Sequence, residues 1–299
     1  MTLTPAQLAL RRTGIGASEI GAVAGLDPWR SPVDVYLRKV DEAASPTSGP
    51  QAWGNILEPI IGEYYAFQNA VTLVGSDTRR HPTVTWALAT PDYLVPPERY
   101  GLEIKVRGRS DRWDGVPPLE VQAQAQWSMF VVGYDRWDVA ALLGGTEYRQ
   151  YRVDRDDAFI TQLTEAGERF WTQHVVPRVP PPARTTEDAK ALYPRVLAKN
   201  YARATEDEED DLALYGKLRD ADRLLGKQLD EVKARLMDGI KDQAGLIGTA
   251  GSVSWSQVRA GVDWEAWARS LGASDKDQEQ YRKAPFRRFT FQPTKEPRS

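Results

Sequence analysis

The chain has 299 residues, 39 Lys+Arg against 42 Asp+Glu for a formal net charge of −3, 41% apolar residues and no cysteine. Such a length and apolar share allow one large domain or two modest ones with a sizeable core, and exclude disorder as the main state. The lack of cysteine excludes disulfides, thiolate zinc sites, cysteine nucleophiles and cysteine-held iron–sulfur clusters.

His81 and His174 are the only histidines. A metal site would therefore be built from carboxylate oxygens and would suit Mg²⁺ or Mn²⁺. No run approaches 18 apolar residues and the first twelve residues lack a signal-type apolar segment, so the sequence reads as cytoplasmic, with no membrane partner.

In chain order, Pro5 opens a short helix that runs into Arg11-Arg12-Thr13 and is broken by Gly14-Ile15-Gly16. A second short helix over 19–24 starts at that turn, which should aim backbone N–H groups outward around Ser18. A proline-bounded loop carries Trp29, and Pro32 opens a helix through Val40. Over 53–68, Trp53, Ile56/Leu57, Ile60/Ile61, Tyr64 and Phe67 recur at helical spacing, and Trp53 reads as core. Short strand-like runs follow at 71–74, 83–88, 92–95 and 101–106. A helix from Pro117-Pro118 through Val132, a hairpin of 137–143 with 148–153, and a helix over 154–175 complete the first part. This order implies an α/β fold with a central mixed β-sheet flanked by helices.

Val179-Pro180-Pro181-Pro182 marks the expected boundary, dividing the chain into 1–182 and 183–299. Beyond it, an acidic run over 206–211 precedes Leu212, Tyr215, Leu218, Leu225, Leu229, Val232, Leu236 and Ile240 at spacings of mostly three, four or seven. They predict one long helix, about 206–243, on the order of 50 Å. The remainder predicts a small β element formed by 248–258 and 286–291, with a helical insertion at Trp264 and Trp267.

The residues that point to chemistry are Pro91-Asp92 and, after ten intervening residues, Glu103-Ile104-Lys105. Glu103 and Lys105 are two apart on one strand and share a face, while Ile104 points into apolar packing. If the strand after Asp92 is its neighbour, an Asp, a Glu and a Lys converge at a sheet edge, with the Ile104 carbonyl as a further oxygen ligand. Two carboxylates with waters and a substrate phosphate are what Mg²⁺ prefers, and a lysine beside them can orient an attacking water. The spacing alone also fits a solvent-facing Glu-x-Lys pair and a Pro-Asp turn.

Five segments in order carry a resemblance. Ala89-Thr90-Pro91-Asp92-Tyr93-Leu94 and Gly101-Leu102-Glu103-Ile104-Lys105 resemble the catalytic segments of the phage lambda exonuclease (YqaJ-type viral recombinase) branch of the PD-(D/E)xK nucleases. Arg11-Arg12-Thr13-Gly14-Ile15-Gly16-Ala17-Ser18-Glu19 resembles the N-terminal motif of that family. Trp53-Gly54-Asn55-Ile56-Leu57-Glu58 resembles its Gly-x-x-x-Glu helix, and 122–129, with Gln122, Gln124 and Gln126, its glutamine-rich helix. The likeness spans residues 8–175.

The resemblance implies that Asp92, Glu103, Glu58 and the Ile104 carbonyl ligate the metal. It implies that Lys105 positions or activates the water, that Gln124 supports Lys105 and the scissile phosphate, and that Arg11 and Ser18 hold a 5′-phosphate. The arginine fork and hydroxyl suit an anion. The implied function is Mg²⁺-dependent 5′→3′ digestion of one strand of linear double-stranded DNA. The implied assembly is a homotrimeric ring partnered with a single-strand annealing protein.

Trp29, Arg107 and Arg109 are candidates for contacting DNA. Basic residues follow the second catalytic strand (Arg99, Lys105, Arg107, Arg109, Arg112) and recur at the C-terminus (Arg282, Lys283, Arg287, Arg288, Lys295, Arg298), where either group lines phosphates or forms a solvated face. Tyr93, Val106 and Arg107 depart from the commonest family residues without removing a ligand. The alternatives are a PD-(D/E)xK endonuclease, a Cas4-like nuclease, which the lack of cysteine disfavours, and a non-catalytic DNA-binding or recombination assembly module.

Overall fold

The computed structural model describes residues 5–40, 49–108, 112–196, 201–256, 261, 263–274 and 277. The elements up to the second sheet strand are α1 (Pro5–Arg12), β1 (Ile15–Gly16), α2 (Ala17–Val23), α3 (Pro32–Val40), α4 (Gly49–Asn69) and β2 (Val74–Gly75). Then come β3 (Arg79–Arg80), β4 (Ala87–Ala89), β5 (Tyr93–Val95), β6 (Tyr100–Arg107) and α5 (Leu119–Val132). A hairpin of β7 (Arg136–Leu143) and β8 (Glu147–Asp154) leads into α6 (Asp157–Phe170), a single π-helical turn (Trp171–Val175) and α7 (Thr186–Leu192).

The chain divides into two units, Met1–Tyr193 and Pro194–Ser299. The first holds a five-stranded sheet in the order β2-β5-β6-β7-β8 and a three-stranded sheet in the order β1-β4-β3. Pairing is mixed, with β6 parallel to β7 and β5–β6 and β7–β8 antiparallel. A helix must connect the parallel pair, and α5 is that crossover. One face of the five-stranded sheet packs Trp137, Val139, Ala141 and Leu143 against Val121, Ala125 and Met129 of α5. The opposite face packs Leu102, Ile104 and Ala140 against Ile61 and Tyr65 of α4. The central strands β6 and β7 thus lie between two helical layers, and β6 reads as nearly continuous burial.

Two expectations change. The boundary lies after Tyr193, not after residue 182, because α7 beyond the prolines belongs to the first unit. Its Asp188 accepts from Ser31 Oγ, and also from the Arg184 and Thr185 N–H groups at 2.9 and 3.0 Å. On α4 the buried apolar side chains are Ile61 and Tyr65, whereas Trp53 is 63% and Phe67 81% exposed. The 53–68 run carries apolar side chains on more than one face, so spacing could not say which stripe meets the sheet. Glu58 is one turn before Ile61 and shares the sheet-facing side.

In the second unit, α8 (Glu206–Ile240) opens on a Thr205/Glu208 capping box. Its apolar stripe, including Leu218, Leu225 and Leu229, is exposed. A local hairpin of β9 (Gly245–Gly248) and β10 (Gly251–Ser254) follows, then α9 (Trp264–Ser270). The expected strand over 286–291 lies outside the described residues, as do Arg109 and the C-terminal basic group. Among the described residues no helix is long and apolar enough to cross a membrane.

Gly101 holds the β6–β7 pair at its working separation, since a Cβ there would collide with the fully buried Trp137 ring. Gly101→Ala should destabilise the first unit by about 1–3 kcal/mol through overpacking. Denaturant unfolding followed by tryptophan fluorescence checks this, and an unchanged midpoint would mean the ring has room to move.

Candidate active site

The β5–β6 register pairs Tyr93 with Leu102. Continued by one residue it sets Asp92 opposite Glu103. The Ile104 N–H donates to Asp92 Oδ2 at 2.7 Å. A strand residue turns its N–H and C=O to the same neighbour, so the Ile104 carbonyl also faces the Asp92 side. Glu103 is only 4% exposed. Its Oε1 accepts from Lys105 Nζ at 2.7 Å and from Gln124 Nε2 at 2.7 Å, while Lys105 Nζ also donates to Gln124 Oε1 at 2.9 Å. The three side chains close a hydrogen-bonded triangle between β6 and α5. Of the glutamines on α5, only Gln124 joins it: Gln122 donates to the Pro117 carbonyl and Gln126 bridges Asp154 and Asp156.

Glu58 comes from the other helical layer. Gly62, one turn on, lies against the Tyr93 ring, where an added Cβ would sit 3.0 Å from the nearest ring atom. This close approach brings α4 to the β5 edge. Burial raises the Glu58 carboxyl, and the charge of Glu103 adds to the effect. Burial, then the charges of Glu103 and Glu58, hold Asp92 well above the ordinary carboxylate range, with Lys105 and the Ile104 N–H opposing. The carboxylates therefore face one another electrostatically, although among the described residues no three acidic or histidine side chains already stand at metal-ligating spacing. The reason lies in the layers, because Glu103 projects toward α5 and Glu58 reaches in from α4.

The donor set nonetheless fits a hard divalent cation. Glu103 Oε2 is buried and has no hydrogen-bond partner, an arrangement that normally costs about 1–3 kcal/mol, more for a charged group, unless something positive faces it. With Asp92 opposite and only oxygen donors nearby, Mg²⁺ or Mn²⁺ answers both the orphaned oxygen and the crowded charge.

Arg11 and Ser18 also meet, with Arg11 Nη2 donating to Ser18 Oγ at 3.1 Å. The expected fan of open N–H groups is not there in full: the N–H of Gly16, the N-cap of α2, donates to Glu19 Oε2 at 2.8 Å. Glu19 is in turn bound by Lys39 Nζ at 2.6 Å. Sequence reasoning missed Lys39, because a lysine in the last turn of an amphipathic helix ordinarily reaches solvent. It also missed Arg30, which pairs with Asp27 at 2.8 Å and donates to the Ser18 carbonyl.

Trp29, beside Arg30, is 80% exposed. Arg107 is exposed at the end of β6, and the charges of Glu103 and Arg30 both act on it, so the Trp29 loop and the strand exit share one neighbourhood. Arg99 leaves the expected basic group, since it precedes β6 and stacks over Tyr134 at the far end of that strand. Arg112 is engaged by Glu120 through two bonds. His81 stacks on Phe130 and caps the Val84 N–H, a structural role.

Residues 7–135 match the sequence model of the YqaJ-like viral recombinase domain. These residues are similar to that domain. The chain is also similar to the uncharacterized protein YqaJ of Bacillus subtilis, 26% identical over 234 residues that cover 75% of this chain and 72% of that protein. The fold is similar to that of the alkaline exonuclease LHK-Exo from Laribacter hongkongensis, with a TM-score of 0.52 and 21% identity over 59% of this chain and 94% of that one. The same enzyme in complex with dAMP gives 0.50 and 21% over 63% and 97%. The matched segment contains the Asp92, Glu103, Lys105 and Gln124 cluster, Glu58, and the Arg11–Ser18 pair.

The folded chain binds the Asp92 proton more tightly than the unfolded chain does. The metal-free protein should therefore lose stability as pH rises from about 4 through the folded value. Asp92→Asn keeps an acceptor for the Ile104 N–H and removes the charge. It should stabilise the metal-free chain at neutral pH by about 0.5–2 kcal/mol and flatten that part of the pH profile. Unfolding at about pH 5 and about pH 8 reads both effects; a variant less stable than wild type at both would show that Asp92 is not crowded by its neighbours.

Proposed function

We propose that this chain is a Mg²⁺-dependent 5′→3′ exonuclease that digests one strand of linear double-stranded DNA and leaves a 3′ single-stranded tail for recombination. The observation that carries the reading is the Glu103–Lys105–Gln124 triangle beside Asp92, with one buried Glu103 oxygen unanswered, inside a YqaJ-like domain. The fold it shares with an alkaline exonuclease supports the same class of reaction.

Asp92, Glu103, the Ile104 carbonyl and Glu58 would hold the cation. When bound, it supplies positive charge against the phosphodiester oxygens. Lys105 has three N–H donors, and two are used on Glu103 and Gln124, an arrangement that fixes its rotamer and aims the ammonium. In this reading Lys105 orients the attacking water and stabilises charge developing on the phosphoryl oxygens. Water attacks phosphorus in line, the P–O3′ bond breaks, and the released nucleotide keeps its 5′-phosphate. Gln124 positions Lys105 and stops Glu103 from rotating away. Arg11 and Ser18 receive the 5′-phosphate of the strand being shortened, which sets polarity. Trp29 and Arg107 contact the duplex beside the site. The same reading carries a homotrimeric ring around DNA and transfer of the 3′ strand to a single-strand annealing protein.

A labelled linear duplex with Mg²⁺ tests the reaction. Wild type should release 5′-mononucleotides from the 5′ end, Asp92→Ala and Glu103→Ala should abolish release, and Lys105→Ala should lower kcat by about 10²–10⁴-fold. Nicking of closed circular DNA would favour an endonuclease. Turnover unchanged in Lys105→Ala would sink the assignment. Arg11→Ala should reduce activity on 5′-phosphorylated ends while sparing 5′-hydroxyl ends, and light scattering of the full chain should give the mass of three protomers.

A further inference from the structure

Beneath the Arg11–Ser18 pair lies a buried cation that the proposed chemistry does not use. Lys39, in the last turn of α3, has a side chain 2% exposed and pairs with Glu19, whose side chain is 9% exposed. Its Nζ donates to Glu19 Oε2 at 2.6 Å and to the Arg11 backbone carbonyl at 2.7 Å. Glu19 Oε2 also caps the Gly16 N–H at 2.8 Å.

Stability alone does not call for this arrangement. A neutral glutamine at 19 could accept the Gly16 N–H, and replacing a buried ion pair by neutral side chains of similar volume is often neutral or stabilising. What the ammonium adds is a tie between two segments. The Arg11 carbonyl belongs to the last turn of α1, where intrahelical partners run out, and Glu19 belongs to the first turn of α2. Arg11 rides on one side of that tie and Ser18 on the other.

We propose that Lys39, with Glu19, is a positioning residue that fixes the separation of Arg11 and Ser18 and thereby sets the preference for a 5′-phosphorylated end. The inference rests on the reading of Arg11 and Ser18 as a 5′-phosphate pocket. Its physical basis is preorganisation: a two-point anion site loses affinity once its points move independently, even though both remain present. Lys39 touches no phosphate itself.

The test is the double variant Glu19→Gln/Lys39→Met in the full chain, which keeps an acceptor for Gly16 and removes the tie without stranding a charge. Initial rates are measured on duplexes differing only in a 5′-phosphate or 5′-hydroxyl end. KM for the phosphorylated duplex should rise about tenfold, with kcat and the rate on hydroxyl ends unchanged. Lys39→Arg, which keeps a cation able to reach both oxygens, should restore most of the preference. If the double variant does not fold, Lys39→Gln, too short to span both oxygens, takes its place with the same readout. An equal loss on both ends, or no change, while Arg11→Ala still slows only the phosphorylated ends, would overturn the tether and leave the pocket standing. If Arg11→Ala slows both ends equally, or neither, the pocket reading falls and the tether falls with it.

Discussion

Burying Glu103 is the constraint around which the first unit is organised. A carboxylate at 4% exposure is tolerated only if hydrogen bonds and opposite charge replace its hydration. One oxygen receives Lys105 and Gln124, so β6 and α5 must stay in contact at that level. That contact in turn needs the parallel β6–β7 ladder, because α5 is the crossover between those strands and Trp137 seats against Gly101 at its start. The other oxygen is left without a partner. The fold therefore holds a local electrostatic deficit that a cation would relieve, and the raised carboxyls of Asp92 and Glu58, lifted by burial and then by the charge of Glu103, belong to the same deficit.

Much of this was legible in the amino-acid pattern, for identifiable reasons. The period-two pattern of Gly101 to Lys105 put Glu103 and Lys105 on one face and Ile104 on the other, and Ile104 packs with Ile61 and Tyr65 as expected. The β7–β8 hairpin and α5 were equally readable from their glycine and proline punctuation. Three features were not. The 53–68 helix is apolar on more than one side, so pattern alone could not choose between the Trp53/Phe67 stripe and the Ile61/Tyr65 stripe. The triple proline stops a helix, but a stop is not a domain boundary when the next helix docks back through Asp188. Lys39 and Arg30 are ordinary in sequence, and their significance comes from carbonyls of residues far along the chain.

The layers also explain why the acidic cluster does not arrive as a finished three-ligand site. Glu103 projects toward α5 and Glu58 belongs to α4, packed on the other face of the sheet, and the charges of both act on Asp92. On the proposed reading, a site assembled around an edge would admit a DNA strand and a cation together. A closed cage of three carboxylates would satisfy the cation before the substrate arrived. Gly62 against Tyr93 and the Lys105–Gln124 bond then set how far α4 and α5 stand from that edge.

The net charge of −3 fits this arrangement once the charges are located. The run Glu206–Asp211 stands at the start of α8 in the second unit, where the helix dipole favours it, and the rest of the chain carries a small positive excess. Within the first unit the acids that matter are concentrated at one edge, while Arg11, Arg30 and Arg107 stand near Ser18 and the exit of β6. Overall charge averages over these features and carries little information about either. A polyanion meets local potential, and screening limits its view to about 8–10 Å at ordinary ionic strength. On the proposed reading, the β6 exit would present Arg107 to a phosphate backbone at that range, and the carboxylate edge beside it would be where a phosphate needs a cation in order to approach.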